Sequence, residues 1–228
     1  MIPKFIYKTA PSLNPEIKEI NDLLEKKNKG WLVKFFDDNQ CLDFLKNDFQ
    51  NNNLNFKNNV LIAYNKLVPS AFKCDLWRLC VIYQYGGVYI DATSTLFYPL
   101  KNIFNLNKNF SIALDEKNRG LQISLFASVK NHPYLKSYIS QILFNVKNNY
   151  YGRKSLYPTG PTCAYTVAVK YGYLRNICIP IYLDKNFYKK HTSKIIVGTR
   201  KLLDHNNIIS KTEKNSYNYL WKKRKIYI

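Results

Sequence analysis

Residues 71–99 read AFKCDLWRLCVIYQYGGVYIDATSTLFYP, and this stretch decides the fold. On a helix of 3.6 residues per turn opening at Pro69 and running to about Tyr85, Phe72, Leu76, Leu79 and Tyr83 share one face. Trp77 and Val81 cover the far side, so the helix is expected to be mostly buried. Asp75 and Arg78, three residues apart, fall on one strip beside the apolar seam. A carboxylate and a guanidinium on a buried helix are costly unless partnered. In isolation the pair reads as a local ion pair or as a polar pair turned toward a ligand. Gly86-Gly87 then stops the helix, and a short strand Val88–Asp91 ends in a carboxylate. In open α/β sheets, ligands bind at the C-terminal edge of the strands, where Asp91 sits.

Working outward, Pro3–Lys8 reads as a buried first strand. Asn14 caps a helix that begins at Pro15 and ends near Lys27, with Gly30 beyond it. Trp31–Phe36 is a second strand, and Asp37-Asp38-Asn39 a turn or helix cap. This strand, helix, strand order predicts a mostly parallel α/β sheet flanked by helices. Residues 39–67 read as short helices joined by the Asn-rich stretch 50–59. Further strands are expected at Thr95–Phe97, Phe110–Leu114, Leu125–Val129, Ile177–Leu183 and Ile195–Gly198. Helices are expected from Pro133 to Asn148, from about Thr162 to Tyr171, and over Ser216–Lys225. No internal repeat or low-complexity boundary divides residues 1–228, so a single domain is expected.

The chain has 228 residues, is 46% apolar and carries 35 Lys+Arg against 15 Asp+Glu, a formal net charge of +20. It can bury a full core without metal or disulfide staples. The charge calls for an anionic partner, or follows from a coding bias that also enriches Asn, Ile, Tyr and Phe. Cys41, Cys74, Cys80, Cys163 and Cys178 form no C-x-x-C pair, which argues against a disulfide framework and a zinc site. No run of 18 apolar residues predicts a membrane span, and Met1–Thr9 lacks the apolar length of a signal peptide. A cytoplasmic protein, soluble or peripheral at a membrane, is the expectation.

The ordered set Asp75-Leu76-Trp77-Arg78 and Tyr85-Gly86-Gly87-Val88-Tyr89-Ile90-Asp91 resembles the DXD-containing core of family 32 glycosyltransferases. That family includes capsular-polysaccharide and giant-virus sugar transferases, and its core is related to that of yeast initiating mannosyltransferases and clostridial toxin glucosyltransferases. Ile2–Thr9 resembles the family's opening strand and Thr159-Gly160-Pro161 its later T-G-P loop. Tyr217–Tyr227 is similar to the C-terminal segment of the capsular and viral members. The second carboxylate of D-x-D is absent here, where Asp91-Ala92-Thr93 stands, and Tyr7-Lys8-Thr9-Ala10 replaces His-Gln-Thr-Trp.

The resemblance implies a GT-A-type fold and transfer of a sugar from a nucleotide-sugar, a UDP- or GDP-sugar, to a hydroxyl with retention. A glycan, lipid-linked or protein acceptor would follow, in polysaccharide or glycan synthesis, in the host cytoplasm for a viral chain. Asp75 and Arg78 would orient the donor sugar, and Gln122, after a predicted strand, faces the reacting sugar or lies in a solvated loop. Ile6, Tyr7, Lys8, Thr9, Gly87, Tyr89 and Ile90 would line the nucleotide site with Asp75, Arg78 and Asp91, although Tyr89 reads equally well as core packing. Mn²⁺ or Mg²⁺ would be held by Asp91 and Thr93, with His191 completing the set. Asp115, Asn118, Asp184 and His205 are further polar candidates, and His132-Pro133 reads as a turn at a helix start.

Two other classes remain open at this level. Lys222-Lys223-Arg224-Lys225 beside Trp221 suits a nucleic-acid binder or an anionic membrane surface. No nucleic-acid-binding motif accompanies it, so no specific nucleic acid is expected. A non-catalytic glycosyltransferase-like scaffold is the other.

Overall fold

The computed structural model describes residues 1–52, 56, 58–115, 120–175, 181–184, 187–190, 195–199 and 216–228. The chain opens with β1 (Phe5–Thr9), α1 (Pro15–Lys27) and β2 (Leu32–Phe36). The Asn14 side chain accepts from the Ile17 amide at 2.8 Å, the expected cap. Asp37 and Gln40 close a capping box on α2 (Asp38–Asp43). A π-helical turn (Phe44–Phe49), α3 (Gln50–Asn52) and α4 (Asn59–Lys66) follow.

Next come α5 (Ser70–Tyr85), β3 (Gly87–Ile90), β4 (Ser94–Leu96), α6 (Leu100–Ile103), β5 (Phe110–Asp115) and β6 (Gly120–Ser128). The helices α7 (Pro133–Lys147) and α8 (Pro161–Lys170) precede β7 (Ile181–Asp184), β8 (Phe187–Lys190), β9 (Ile195–Thr199) and α9 (Tyr217–Lys222). The strand β8 and the short α6 were not expected. β6 starts five residues earlier than its apolar run, because a hairpin with β5 extends it past a bulge at Ile112/Ala113.

The strands form one sheet in the order β2-β1-β3-β6-β5-β7-β8-β9-β4. Parallel pairing joins β2, β1 and β3, as the opening strand–helix–strand order predicts, and also joins β5 to β7. The other pairings are antiparallel. Alternation along β1 and β3 sends side chains to two cores. Tyr7 and Tyr89 face a layer of α5, α7 and α8 with the π turn. Ile6, Val88 and Ile90 face Ile20 and Leu24 of α1 and Leu100 and Ile103 of α6. Among the described residues no helix is long and apolar enough to cross a membrane.

The helix α5 is buried nearly all round, as its sequence predicts. Trp77 on its far side packs 5.1 Å from Phe36 and 6.1 Å from Phe44, centroid to centroid. Each such side chain contributes about 1.5–3 kcal/mol of burial. The helix ends at Gly86, whose φ of +67° suits glycine. A Cβ on Gly87, at φ +112°, would lie 2.7 Å from the Phe5 carbonyl oxygen. The Gly-Gly pair thus serves the close approach of β3 to β1.

Candidate active site

The site is built where α5 passes the C-terminal end of β3. Arg78 Nη1 lies 3.1 Å from Asp91 Oδ1 and donates to the Ile123 carbonyl at 3.0 Å, while Nε donates to the Cys74 carbonyl. Arg78 Nη2 stands 3.4 Å from Asp75 Oδ1. The guanidinium lies 4.4 Å from the Tyr89 ring centroid, and the Tyr89 hydroxyl donates to Asp91 Oδ1 at 3.0 Å. Asp75 and Arg78 are therefore an intrahelical pair and also part of a network reaching the strand-end carboxylate. The local ion pair of the D-x-x-R strip is present, and it extends to the strand end.

Asp75 is fixed from a second direction. Thr159 Oγ1 donates to Asp75 Oδ2 at 2.8 Å. The loop carrying Thr159 is tied to α7: the Tyr138 hydroxyl donates to the Thr159 and Gly160 carbonyls, and Asn145 Nδ2 donates to the Pro158 carbonyl at 2.8 Å. Burial pushes the Asp75 carboxyl up to about 6, against the opposing pull of Arg78 and the Thr159 hydrogen bond. Burial also works against charge on Arg78, but Tyr89, Asp91 and Asp75 more than offset it, so the guanidinium stays charged.

Asp75, Arg78 and Asp91 line a cleft of about 180 Å³ with Gln122, Ser124, Gly160 and Tyr217. Asp75, Arg78, Asp91 and Gln122 are thus brought together from three elements, α5, the end of β3, and β6. Thr159 and Tyr217 join them. Neither was singled out as a site residue, though both stand in segments that carry the resemblance. Tyr89 has a polar role as well as a packing one.

Other expected residues go elsewhere. Gly87 sits at the N-terminal end of β3, against β1, and Ile6 and Ile90 lie in the core beneath the sheet. Tyr7 stacks on Tyr85 with centroids 6.3 Å apart. Thr9, at the end of β1, lies 3.1 Å from Cys41 Sγ, and with Trp77, Tyr64 and Lys73 it lines a neighbouring cavity of about 300 Å³. His132 caps α7, its Nδ1 accepting from the Tyr134 amide, as its position before Pro133 suggests. Asn118, His191 and His205 lie outside the described residues, as does Cys178. Asp115 and Asp184 end β5 and β7.

Lys8 is a separate matter. It is fully buried, and among the described residues its Nζ has no hydrogen-bond partner. Burial pulls its pKa down to about 7, with Asp91 opposing. Lys8 thus sits at the end of β1, beside the strand that ends in Asp91, as an amine only partly charged near neutral pH.

The donor set suits a hard divalent ion shared with a substrate. Among the described residues no three His, Cys, Asp or Glu side chains converge. Asp91 Oδ1 takes the bonds from Arg78 and Tyr89, the carboxylate is 40% exposed, and exposed Thr93 follows in the same turn. One carboxylate and one hydroxyl leave most positions to phosphate oxygens and water, a common arrangement for Mg²⁺.

This helix-flanked sheet has the GT-A fold of solved glycosyltransferases. The chain is similar to the PaToxG glycosyltransferase, with a TM-score of 0.57 and 17% identity over 75% of this chain and 69% of that one. It is also similar to the UDP-bound glycosyltransferase domain of the YGT toxin, with a TM-score of 0.51 and 10% identity over 78% of this chain and 79% of that one.

A sequence match points the same way. Residues 14–111 match the glycosyltransferase sugar-binding region containing the DXD motif, which bears out the resemblance carried by Asp75–Asp91. An uncharacterised glycosyltransferase of Acanthamoeba polyphaga mimivirus is 28% identical over 158 residues, 65% of this chain. The matched stretch covers 58% of that viral protein's length.

Proposed function

We propose that residues 1–228 form one glycosyltransferase domain that moves a sugar from a UDP- or GDP-sugar to a hydroxyl acceptor with retention of configuration. The observation that carries this reading is the Asp75–Arg78–Asp91 network lining one cleft of a GT-A fold. The acceptor is a glycan, lipid-linked or protein hydroxyl, and the setting is cytoplasmic polysaccharide or glycan synthesis. The thiols of Cys41, Cys74, Cys80 and Cys163 are free, which suits a reducing compartment.

In this reading the nucleoside enters the cavity beside Thr9 and Trp77, where the buried Trp77 Nε1 has no hydrogen-bond partner among the described residues. Asp75 accepts from a sugar hydroxyl, and Arg78 fixes the two carboxylates around it. Such positioning contributes by holding the reacting atoms in line. Gln122 faces the sugar from the β6 side. The bond from the anomeric carbon to the diphosphate breaks as the acceptor oxygen bonds to that carbon, and the acceptor's proton leaves with the diphosphate. Asp91 and Thr93 would hold Mn²⁺ or Mg²⁺, which would supply positive charge toward the leaving diphosphate. Lys8, when protonated, adds positive charge from the β1 side.

The test is nucleotide release from a panel of UDP- and GDP-sugars with Mn²⁺, together with thermal shifts for each ligand. Release by the native chain and none by Asp91→Ala supports the reading. Absence of both binding and release across the panel overturns it.

A further inference from the structure

The fold assembles a surface that no single segment of the sequence reveals. The chain's last residues return to α4: Leu67 pairs with Tyr227, and the Ile228 amide donates to the Lys66 carbonyl at 3.0 Å. The Tyr227 hydroxyl donates to the Tyr150 carbonyl at 2.6 Å, just beyond α7. Three distant segments therefore share one face. Between α4 and α7 runs a groove of about 430 Å³ lined by Ile62, Lys66, Leu143, Phe144 and Lys147. Ile62 is 62% exposed, Phe144 60% and Ile228 84%. Large apolar groups in one exposed neighbourhood need a reason.

These segments themselves carry only basic charge, while Asp43 and Asp48 stand at the π turn that packs against α4. Neither α4, nor α7, nor residues 216–228 contain any Asp or Glu, and no carboxylate occurs from residue 120 to 183. Lys66 and Lys147 line the groove, and the same segments carry Lys136, Lys222, Lys223 and Lys225. Arg224 is spent differently: its guanidinium packs 4.4 Å from the Tyr151 ring centroid and so holds the tail. The acidic residues Glu16, Glu19, Asp22 and Glu25 lie on α1, across the sheet from α4 and α7.

We infer that the α4–α7 face with the C-terminal tail docks on an anionic lipid surface. Exposed aliphatic and aromatic side chains within a basic ring match the boundary between headgroups and acyl chains. Aliphatic Ile62 and Ile228 have no use against nucleic-acid bases, which are held by stacking. Tyr217, at the start of the same tail, lines the candidate active-site cleft. Docking would bring that cleft near the lipid. The inference does not depend on catalysis.

Co-sedimentation of the full chain with phosphatidylserine–phosphatidylcholine vesicles tests it. Binding should exceed that to pure phosphatidylcholine and weaken with salt. Lys66→Gln and Lys147→Gln should each lower partitioning about fivefold, as should each of Lys222→Gln, Lys223→Gln and Lys225→Gln. Ile62→Ser with Phe144→Ser should remove the binding that persists at high salt. Lys18→Gln with Lys26→Gln on α1 should change little. All these positions lie at the surface, so thermal midpoints should hold. Equal loss from the α1 pair, or unchanged binding in the groove variants, would overturn the assignment. So would groove-dependent binding of a homopolymer RNA tighter than that of the vesicles, which would give the face to nucleic acid.

Discussion

Arg78 Nη1 lies 3.1 Å from Asp91 Oδ1, so the helix α5 and the end of strand β3 are joined by charge across 13 positions of sequence. The same guanidinium reaches Asp75 and the Ile123 carbonyl. Removing it would leave two carboxylates close together with no counter-charge, at a cost of about 3–5 kcal/mol for a buried pair. Arg78→Ala is therefore expected to lower the thermal midpoint as well as activity. Arg78→Lys keeps the charge but loses the fork. It should fold, bind nucleotide nearly as well, and turn over about 100-fold more slowly. Asp75→Asn should show the same split. Native turnover with the true donor in both folded variants would make the pair purely structural.

Thr159 supplies a test by pH. Its hydroxyl stabilises the charged form of Asp75, whose pKa already stands at about 6 through burial. If the carboxylate is the working form, activity falls below about pH 6. Thr159→Val removes a donor to the charged form, so the acid limb should move to higher pH. A pH–rate profile of native and variant enzyme measures this. A limb that stays in place, or moves down, would separate Asp75 ionisation from turnover.

Lys8 is expected to trade stability for binding. Its folded pKa, about 7, lies below the ordinary 10.5. Below pH 7 both states are charged and the folded state bears the full burial cost. Between pH 7 and 10.5 the folded protein sheds the proton first, so the cost declines as pH rises. Lys8→Met should raise the thermal midpoint, with the largest difference from native at or below pH 7 and little by pH 10. The same variant should weaken binding of UDP or GDP. A destabilised Lys8→Met would show that the ammonium has a partner in the native fold.

Asp91 carries the metal prediction. With Thr93 where a second carboxylate would add charge, Mn²⁺ should bind the free protein weakly and tighten when a diphosphate supplies oxygens. Calorimetry of Mn²⁺ with and without UDP measures the coupling, and Asp91→Ala should abolish it. Full activity in excess chelator would instead assign the leaving-group charge to Lys8 and its basic neighbours.

Much of this was open to a reader of the sequence. The 3.6-residue spacing of Phe72, Leu76, Leu79 and Tyr83, the Gly-Gly stop and the following strand fixed α5 and β3 within a residue or two, because helix and strand periods are local properties. Asn14 with Pro15 announced its helix for the same reason, whereas Asp37-Asp38-Asn39 read as either a turn or a helix cap and the Gln40 side of the capping box came from the structure. The carboxylates and guanidinium of the site were legible as an ordered set of residue types. Tertiary structure decided the rest. That Arg78 also grips Asp91, that Thr159 reaches Asp75 across 84 positions, and that Gly87 serves β1 and not the cleft follow from sheet order and close packing, which no local pattern encodes. The lone buried Lys8 and the face without Asp or Glu joining α4, α7 and residues 216–228 arise likewise from contacts between distant segments. Burial and long-range pairing are properties of the assembled fold, and only there do single charges acquire their surroundings.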